Sequence, residues 1–112
     1  MSLTVLCEFR VKRPDDEPEF VRIARALAAA AANEPGTLRY QWFVAPRPGH
    51  YAIIEDYINA DAAELHNHNV HDLLVEAFAV VELVSVAFFG ELNQYLRDWI
   101  AGRDGVALHA PL

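Results

Sequence analysis

An α+β fold, in which an antiparallel sheet carries helices on one face, is predicted by three features of the sequence. Segments with period-two alternation occur three times, apolar residues at helical spacing recur between and after them, and Pro/Gly turns mark the joints. In chain order these give β-α-β-β-α-β plus a C-terminal helix, the ferredoxin-like arrangement. With 112 residues the chain amounts to a single domain.

The first strand is Leu3 to Val11, with Leu3, Val5, Cys7, Phe9 and Val11 on one face. Asp16, followed three residues later by Glu19 and with Pro18 tolerated in a first turn, predicts a helix start. Phe20, Ile23, Ala24, Leu27, Ala28 and Ala31 form its apolar stripe, the alanine run from Ala26 to Ala32 has the best helix propensity, and Asn33-Glu34-Pro35-Gly36 ends it. Alternation returns from Thr37 to Ala45, where Leu38, Tyr40, Trp42 and Val44 share a face, and again from Tyr51 to Ile58, where Tyr51, Ile53, Glu55 and Tyr57 do. The turn Pro46-Arg47-Pro48-Gly49 makes these two strands a hairpin. Asn59 is placed to cap a short helix that the polar knot Asn67-His68-Asn69 interrupts, and a second piece follows from Val70 to about Val80. Val81 to Gly90 is the last strand; Glu91 to Ala101 is a helix with Leu92, Tyr95, Leu96, Trp99 and Ile100 on one side and Gly102 as its stop. Residues 1–90 thus form the main unit, and residues 91–112 a helix and tail belonging to the same domain or to a subunit interface. The last ten residues show no period.

Composition narrows the function. Apolar residues make up 54% of the chain, and strands 1, 2 and 4 carry them on both faces, so the open face of the sheet is expected to be covered by a second copy. The helix over residues 91–101 is expected to reinforce that homodimer or to cover a pocket edge. A net charge of −7 with dispersed basic residues argues against nucleic acid and membrane surfaces as partners. Cys7 is the only cysteine, which excludes an internal disulfide and suits a cytoplasmic protein; it reads as a small core hydrophobe. There is no leader pattern and no apolar run long enough for a bilayer. No glycine-rich phosphate loop, nucleophile signature or dinucleotide fingerprint occurs, so no cofactor is expected.

The segment Asn33-Glu34-Pro35-Gly36-Thr37-Leu38-Arg39-Tyr40, then Tyr51 to Tyr57 with Glu55 inside the strand, then Ala62-Ala63-Glu64-Leu65-His66 and His71 five residues on, resembles the antibiotic biosynthesis monooxygenase (ABM) family over residues 3–90. The resemblance implies a dimeric α+β barrel, two sheets packed face to face, with a pocket in each subunit between sheet and helices. Better-known members of that family oxidise phenolic or anthrone-like polyketides with dioxygen and no cofactor, while others degrade haem, isomerise signalling molecules or have no known substrate. The Asn-Trp-His set of the haem-degrading members has no clear counterpart here. The expectation is a cofactor-independent monooxygenase acting on a small aromatic, quinol or polyketide-like molecule; the alternative is a non-enzymatic small-molecule binder or a cofactor-free isomerase.

His66 is the candidate base, reaching from the second helix into the pocket towards a phenolic or enolic oxygen, since an imidazole titrates near neutrality. The competing role is a helix-end histidine that caps a carbonyl or bonds to Glu55 or Tyr57. Tyr40 and Trp42 supply the donors that would stabilise a substrate anion, and His71, Tyr51, Tyr57 and Glu55 are candidate substrate-binding residues. An aromatic stripe of this kind also serves simply as core. His66, His68 and His71 match the spacing of a metallo-β-lactamase motif, but Val70 stands where that motif has Asp and the chain is too short for the fold. A zinc site from two of these histidines with Asp72 or Glu64 is the lesser reading, and no metal is expected. His68 is expected to turn outward at the break, His50 and His109 to be solvated, and Arg39 to pair with Asp56 across strands on the outer face.

Overall fold

The computed structural model describes residues 1–112. A five-stranded sheet in the order β2-β3-β1-β4-β5 carries four α-helices. The strands are β1 (Leu3–Val11), β2 (Thr37–Val44), β3 (His50–Tyr57), β4 (Val81–Phe89) and β5 (Val106–His109); the helices are α1 (Glu17–Ala31), α2 (Ala60–Asn69), α3 (His71–Val80) and α4 (Gln94–Ile100). The ferredoxin-like α+β architecture is as expected. The sheet is mixed, however, because β5 runs parallel to β4, pairing Val86 with Val106 and Phe88 with Leu108.

Alternation in β1 and β3 translates directly into burial. Leu3, Val5, Cys7, Ile53 and Tyr57 point under the helices and join Val86, Phe88 and Leu96 in the largest core cluster. Cys7 is a core side chain, and burial pushes its thiol up from the usual value. From α1, Phe20, Ile23, Ala24, Leu27 and Ala31 are buried, the stripe read from the sequence.

The helix ends differ in instructive ways. Asn59 caps α2 as expected, its side-chain oxygen accepting from the Ala62 amide at 2.9 Å. Asp16 does not cap α1: Pro14–Asp16 forms a 3-10 turn, and the Asp16 carboxylate lies 3.5 Å from the Arg13 guanidinium. The break between α2 and α3 falls at Val70 rather than within Asn67-His68-Asn69. Val70 is buried against Ile23, Leu27 and Ala77, so the backbone bends to seat an apolar side chain and leaves the polar knot in the last turn of α2, with His68 and Asn69 exposed. The last helix begins at Gln94, not Glu91, because Asn93 is its cap: the side-chain oxygen accepts from the Leu96 amide at 3.0 Å while the side-chain amide donates to Asp61 at 2.9 Å and Glu64 at 3.0 Å. One asparagine therefore starts α4 and ties it to α2.

Two further expectations are corrected and one holds. His50 is buried, with its ring nitrogen 3.4 Å from a Glu8 oxygen, because Val11 and Ala45 bond to the turn and hold the β3 start against the sheet. His109 is exposed, as expected, its ring lying flat on Phe89 with centroids 4.3 Å apart. Arg39 and Asp56 stand opposite each other in register, yet Arg39 donates to Gln41 and Asp56 accepts from Thr4 at 2.5 Å, each taking the nearer partner.

Leu96 is 3% exposed, so α4 belongs to the core rather than to a free tail. Leu96→Ala should cost about 2–4 kcal/mol of folding stability, and Asn93→Ala, which removes a cap, about 1 kcal/mol. Urea unfolding checks both; unchanged midpoints would contradict the packing of α4.

Candidate active site

Pairing of β2 with β3 sets Tyr40 opposite Glu55 and Trp42 opposite Ile53. Period two then places Tyr40, Trp42, Ile53, Glu55 and Tyr57 on the face beneath the helices. Above them α2 contributes Ala63, His66 and Asn67, α3 contributes Leu74, Ala77 and Phe78, and α4 contributes Leu96 and Trp99. A cavity lies between. Only Glu55, His66 and Asn67 among its twenty lining residues are not hydrophobic. It leaves about 70 Å³ for the centres of water-sized molecules, and since roughly 10–15 Å³ on that measure holds one water, a single aromatic ring fits inside. Asn67, Leu74, Phe78 and Trp99 are half-buried, which puts the mouth between α2–α3 and α4.

Polar atoms on the wall fall into two sets. Glu34 and His66 satisfy each other: His66 Nδ1 is 2.7 Å from Glu34 Oε1, and the Glu34 carboxylate also accepts from Thr37 at 2.8 Å and Asn69 at 3.2 Å. Burial opposes ionisation of Glu34, but these hydrogen bonds outweigh it and hold the carboxyl below its usual range. Tyr57 donates its hydroxyl to Glu55. Burial pushes the Glu55 carboxyl up, a rise that the Tyr57 hydrogen bond and His66 only partly oppose.

The second set is uncommitted. Trp42 is gripped by Phe9, Phe20 and Tyr40, with ring centroids at 5.6, 5.4 and 6.2 Å, and its Nε1–H is fully buried with no acceptor. Neither the Tyr40 hydroxyl nor His66 Nε2 has a protein hydrogen-bond partner, and both residues line the cavity. The two rings lie 4.9 Å apart. Burial above all, then the negative fields of Glu55, Cys7 and Glu34, pushes the Tyr40 hydroxyl up, so it remains a proton donor.

The structure therefore brings His66, Tyr40, Trp42, Tyr57 and Glu55 to one cavity. It does not bring His71 or Tyr51 there. His71 follows the buried Val70 and is turned to solvent by the same bend, while Tyr51 lies behind the Phe20 ring, 5.0 Å between centroids. His66 bonds to neither Glu55 nor Tyr57 but to Glu34, and His68 is exposed beside Glu64. His66, His68 and His71 do not converge. Glu34, Asn67, Phe78, Leu96 and Trp99 are site residues without an assigned role in the sequence reading. The Glu34 signal lay in the Glu-Pro-Gly segment, but only the fold carries it to a histidine 32 positions away.

A buried apolar cavity with a few convergent polar groups, roofed by helices on a ferredoxin-like sheet, defines a small-molecule site. The chain belongs to the antibiotic biosynthesis monooxygenase family, whose model matches residues 2–73. Among solved structures, MupZ from Pseudomonas fluorescens superposes with a TM-score of 0.80 at 18% identity, over 99% of this chain and 90% of that one. An antibiotic biosynthesis monooxygenase does so with a TM-score of 0.70 at 22% identity, over 81% and 99%. SnoaB, a cofactor-independent oxygenase from Streptomyces nogalater, gives 0.69 at 18% identity, over 83% and 95%. At these identities the likeness is one of fold. No curated protein matches the chain. No helix is long and apolar enough to cross a membrane.

Glu55 on the cavity wall and Glu34 behind His66 should respond oppositely to pH. Glu55, with a raised folded value, favours the fold fully below the unfolded glutamate value and loses that contribution as pH rises through the folded one; Glu34, with a lowered value, contributes above the unfolded value and loses it as pH falls. Between about pH 2 and about pH 7, Glu34→Gln should therefore lose thermal stability relative to wild type as pH rises through the lower half of that range, and Glu55→Gln should gain it as pH rises through the upper half. Melting curves across that range that shifted in parallel for both variants would contradict the assignment.

Proposed function

We propose that the protein is a cofactor-independent monooxygenase acting on a small aromatic, quinol or polyketide-like substrate, a homodimer through the outer face of its sheet. The observation that carries this reading is the buried, partnerless Trp42 Nε1–H beside the free Tyr40 hydroxyl and His66 Nε2 in an otherwise apolar cavity. In this reading a flat ring occupies the cavity that the three residues line, with Trp42 and Tyr40 as donors and His66 as acceptor for its oxygen. Residues 91–112 act with the main unit as one domain, since Leu96 and Trp99 complete the cavity.

In this mechanism His66 Nε2 removes a proton from the enolic or phenolic substrate, whose electron pair stays on the ring. Tyr40 and Trp42 donate to the resulting oxyanion, in a setting from which water is excluded. The anion passes one electron to dioxygen, and radical recombination forms a C–O bond. A methylene carbon that has become C(H)OOH then loses water to give the ketone, so one oxygen atom is retained and the other leaves as water. The apolar wall excludes bulk water that would quench the anion.

Glu55 supports a second reading. An acid favoured by burial on the same cavity as His66 makes a donor–acceptor pair, the pattern of a cofactor-free isomerase that moves a proton between carbon and oxygen. A binder without catalysis would use the same cavity. Dimerisation is supported by the exposed Leu6, Phe43, Val84 and Phe89 of the strands, and a cytoplasmic setting fits the single buried thiol.

Oxygen consumption by the protein with a panel of quinols and anthrones separates the readings, because an isomerase turns over equally without air. His66→Ala should lower turnover per folded molecule about 10²- to 10⁴-fold, whereas His68→Ala should leave it unchanged. Full activity in His66→Ala would remove the base. Light scattering should return twice the chain mass at micromolar concentration, and a monomer would refute the dimer.

A further inference from the structure

The proton-transfer chemistry above asks one thing of His66 that the cavity itself does not supply: the lone pair must sit on Nε2. A neutral imidazole carries a single N–H, on one nitrogen or the other, and its neighbours decide which. His66 is a partition between two spaces. One side meets the apolar cavity, and the other meets a small polar cleft lined by Asn33, Glu34, Thr37 and Asn69. The ring is 2% exposed and the Glu34 side chain 10%, so water does not compete for their 2.7 Å contact.

We propose that Glu34 is a positioning residue that holds the proton on His66 Nδ1 and leaves Nε2 bare towards the cavity. The proposal rests on His66 as the base. A carboxylate only accepts hydrogen bonds, so the nitrogen facing it must carry the hydrogen. The carboxylate is itself fixed, accepting from Thr37 on Oε1 and from Asn69 on Oε2, which stops it from turning away. When Nε2 takes the substrate proton, the N–H bond forms as the substrate's bond to hydrogen breaks, and the ring becomes a cation beside a buried anion. Glu34 therefore opposes the charge at the moment it appears.

The loop geometry serves the same end. A Cβ on Gly36 would lie 2.8 Å from the Ala62 Cβ, so only glycine lets the Glu34 loop press this closely on α2. The Gly36 carbonyl accepts from the Ile58 amide at 3.0 Å, and the Thr37 amide donates to the Glu34 carbonyl at 3.1 Å. The Glu-Pro-Gly segment is thus a bracket: a carboxylate for the imidazole, then a residue without a side chain where bracket meets helix.

The test reads the tautomer directly. Nitrogen-15 spectra of the histidine ring, taken without substrate, should show His66 protonated on Nδ1 and bare on Nε2 in wild type and in Glu34→Asp, and a mixed or reversed signature in Glu34→Gln. A wild-type ring with its proton on Nε2, or an unchanged ring in Glu34→Gln, overturns the proposal, and this arm needs no substrate. With naphthohydroquinone as the probe, Glu34→Gln should lose about 10- to 10³-fold in kcat with little change in KM, and Glu34→Asp should recover part of it. A tautomer that changes with no fall in kcat supports the grip of Glu34 on the ring and removes His66 as the base. Melting curves of each variant, with Gly36→Ala as a second way to displace the bracket, separate a lost tautomer from a lost fold.

Discussion

Burial of a carboxylate against an imidazole, Glu34 on His66, is the contact on which the arrangement of the rest depends. Each group would be costly to bury alone. Together, with Thr37 and Asn69 filling the remaining acceptor positions, they form a closed polar knot between the loop after α1 and the last turns of α2. Fixing α2 fixes what hangs from it: Asn93 bonds to Asp61 and Glu64 of α2, and α4 follows, bringing Leu96 and Trp99 over the cavity. Two groups of hydrogen bonds, one from the Glu34 loop and one from Asn93, therefore both meet on α2.

The cavity shows the opposite treatment of polarity. A buried N–H without an acceptor costs about 1–3 kcal/mol, yet Trp42 is packed so that its indole cannot turn to find one, with rings of Phe9, Phe20 and Tyr40 on its sides. The Glu34 and His66 contact is supported by further hydrogen bonds; on the cavity wall Tyr57 and Glu55 satisfy each other, whereas Trp42 Nε1–H has no acceptor. That division distinguishes a binding cavity from a packing defect, because a defect would be lined by groups with nothing to offer a guest.

What could be read from the residues followed from local rules. Period two in β1 and β3 gave the correct inward faces, including Tyr57 and Glu55, and the Asn59 cap could be located because a cap needs only its next three residues. Failures came where distant partners decide. Val70 is the break because a pocket among Ile23, Leu27 and Ala77 takes its side chain, which no window around Asn67-His68-Asn69 contains. Four residues of β5 are too few to show a period, and they extend only because β4 offers an open edge. Glu34 and His66 each sit in recognisable segments, but the β2–β3 hairpin separates them in sequence and only the topology brings them together. His50 read as a turn residue, whereas the turn folds back on the sheet and buries it.

The short fifth strand closes one boundary of the sheet. An open strand border exposes a row of unpaired amides and carbonyls that can template indefinite addition of further chains. Here β4 is sealed by β5, which ends after four residues, and at the far border β2 carries an irregularity between Thr37 and Arg39 that breaks its ladder. Neither border presents a long regular template. In the proposed homodimer, association through the broad face of the sheet ends at a closed pair, whereas association through the borders would grow into fibres.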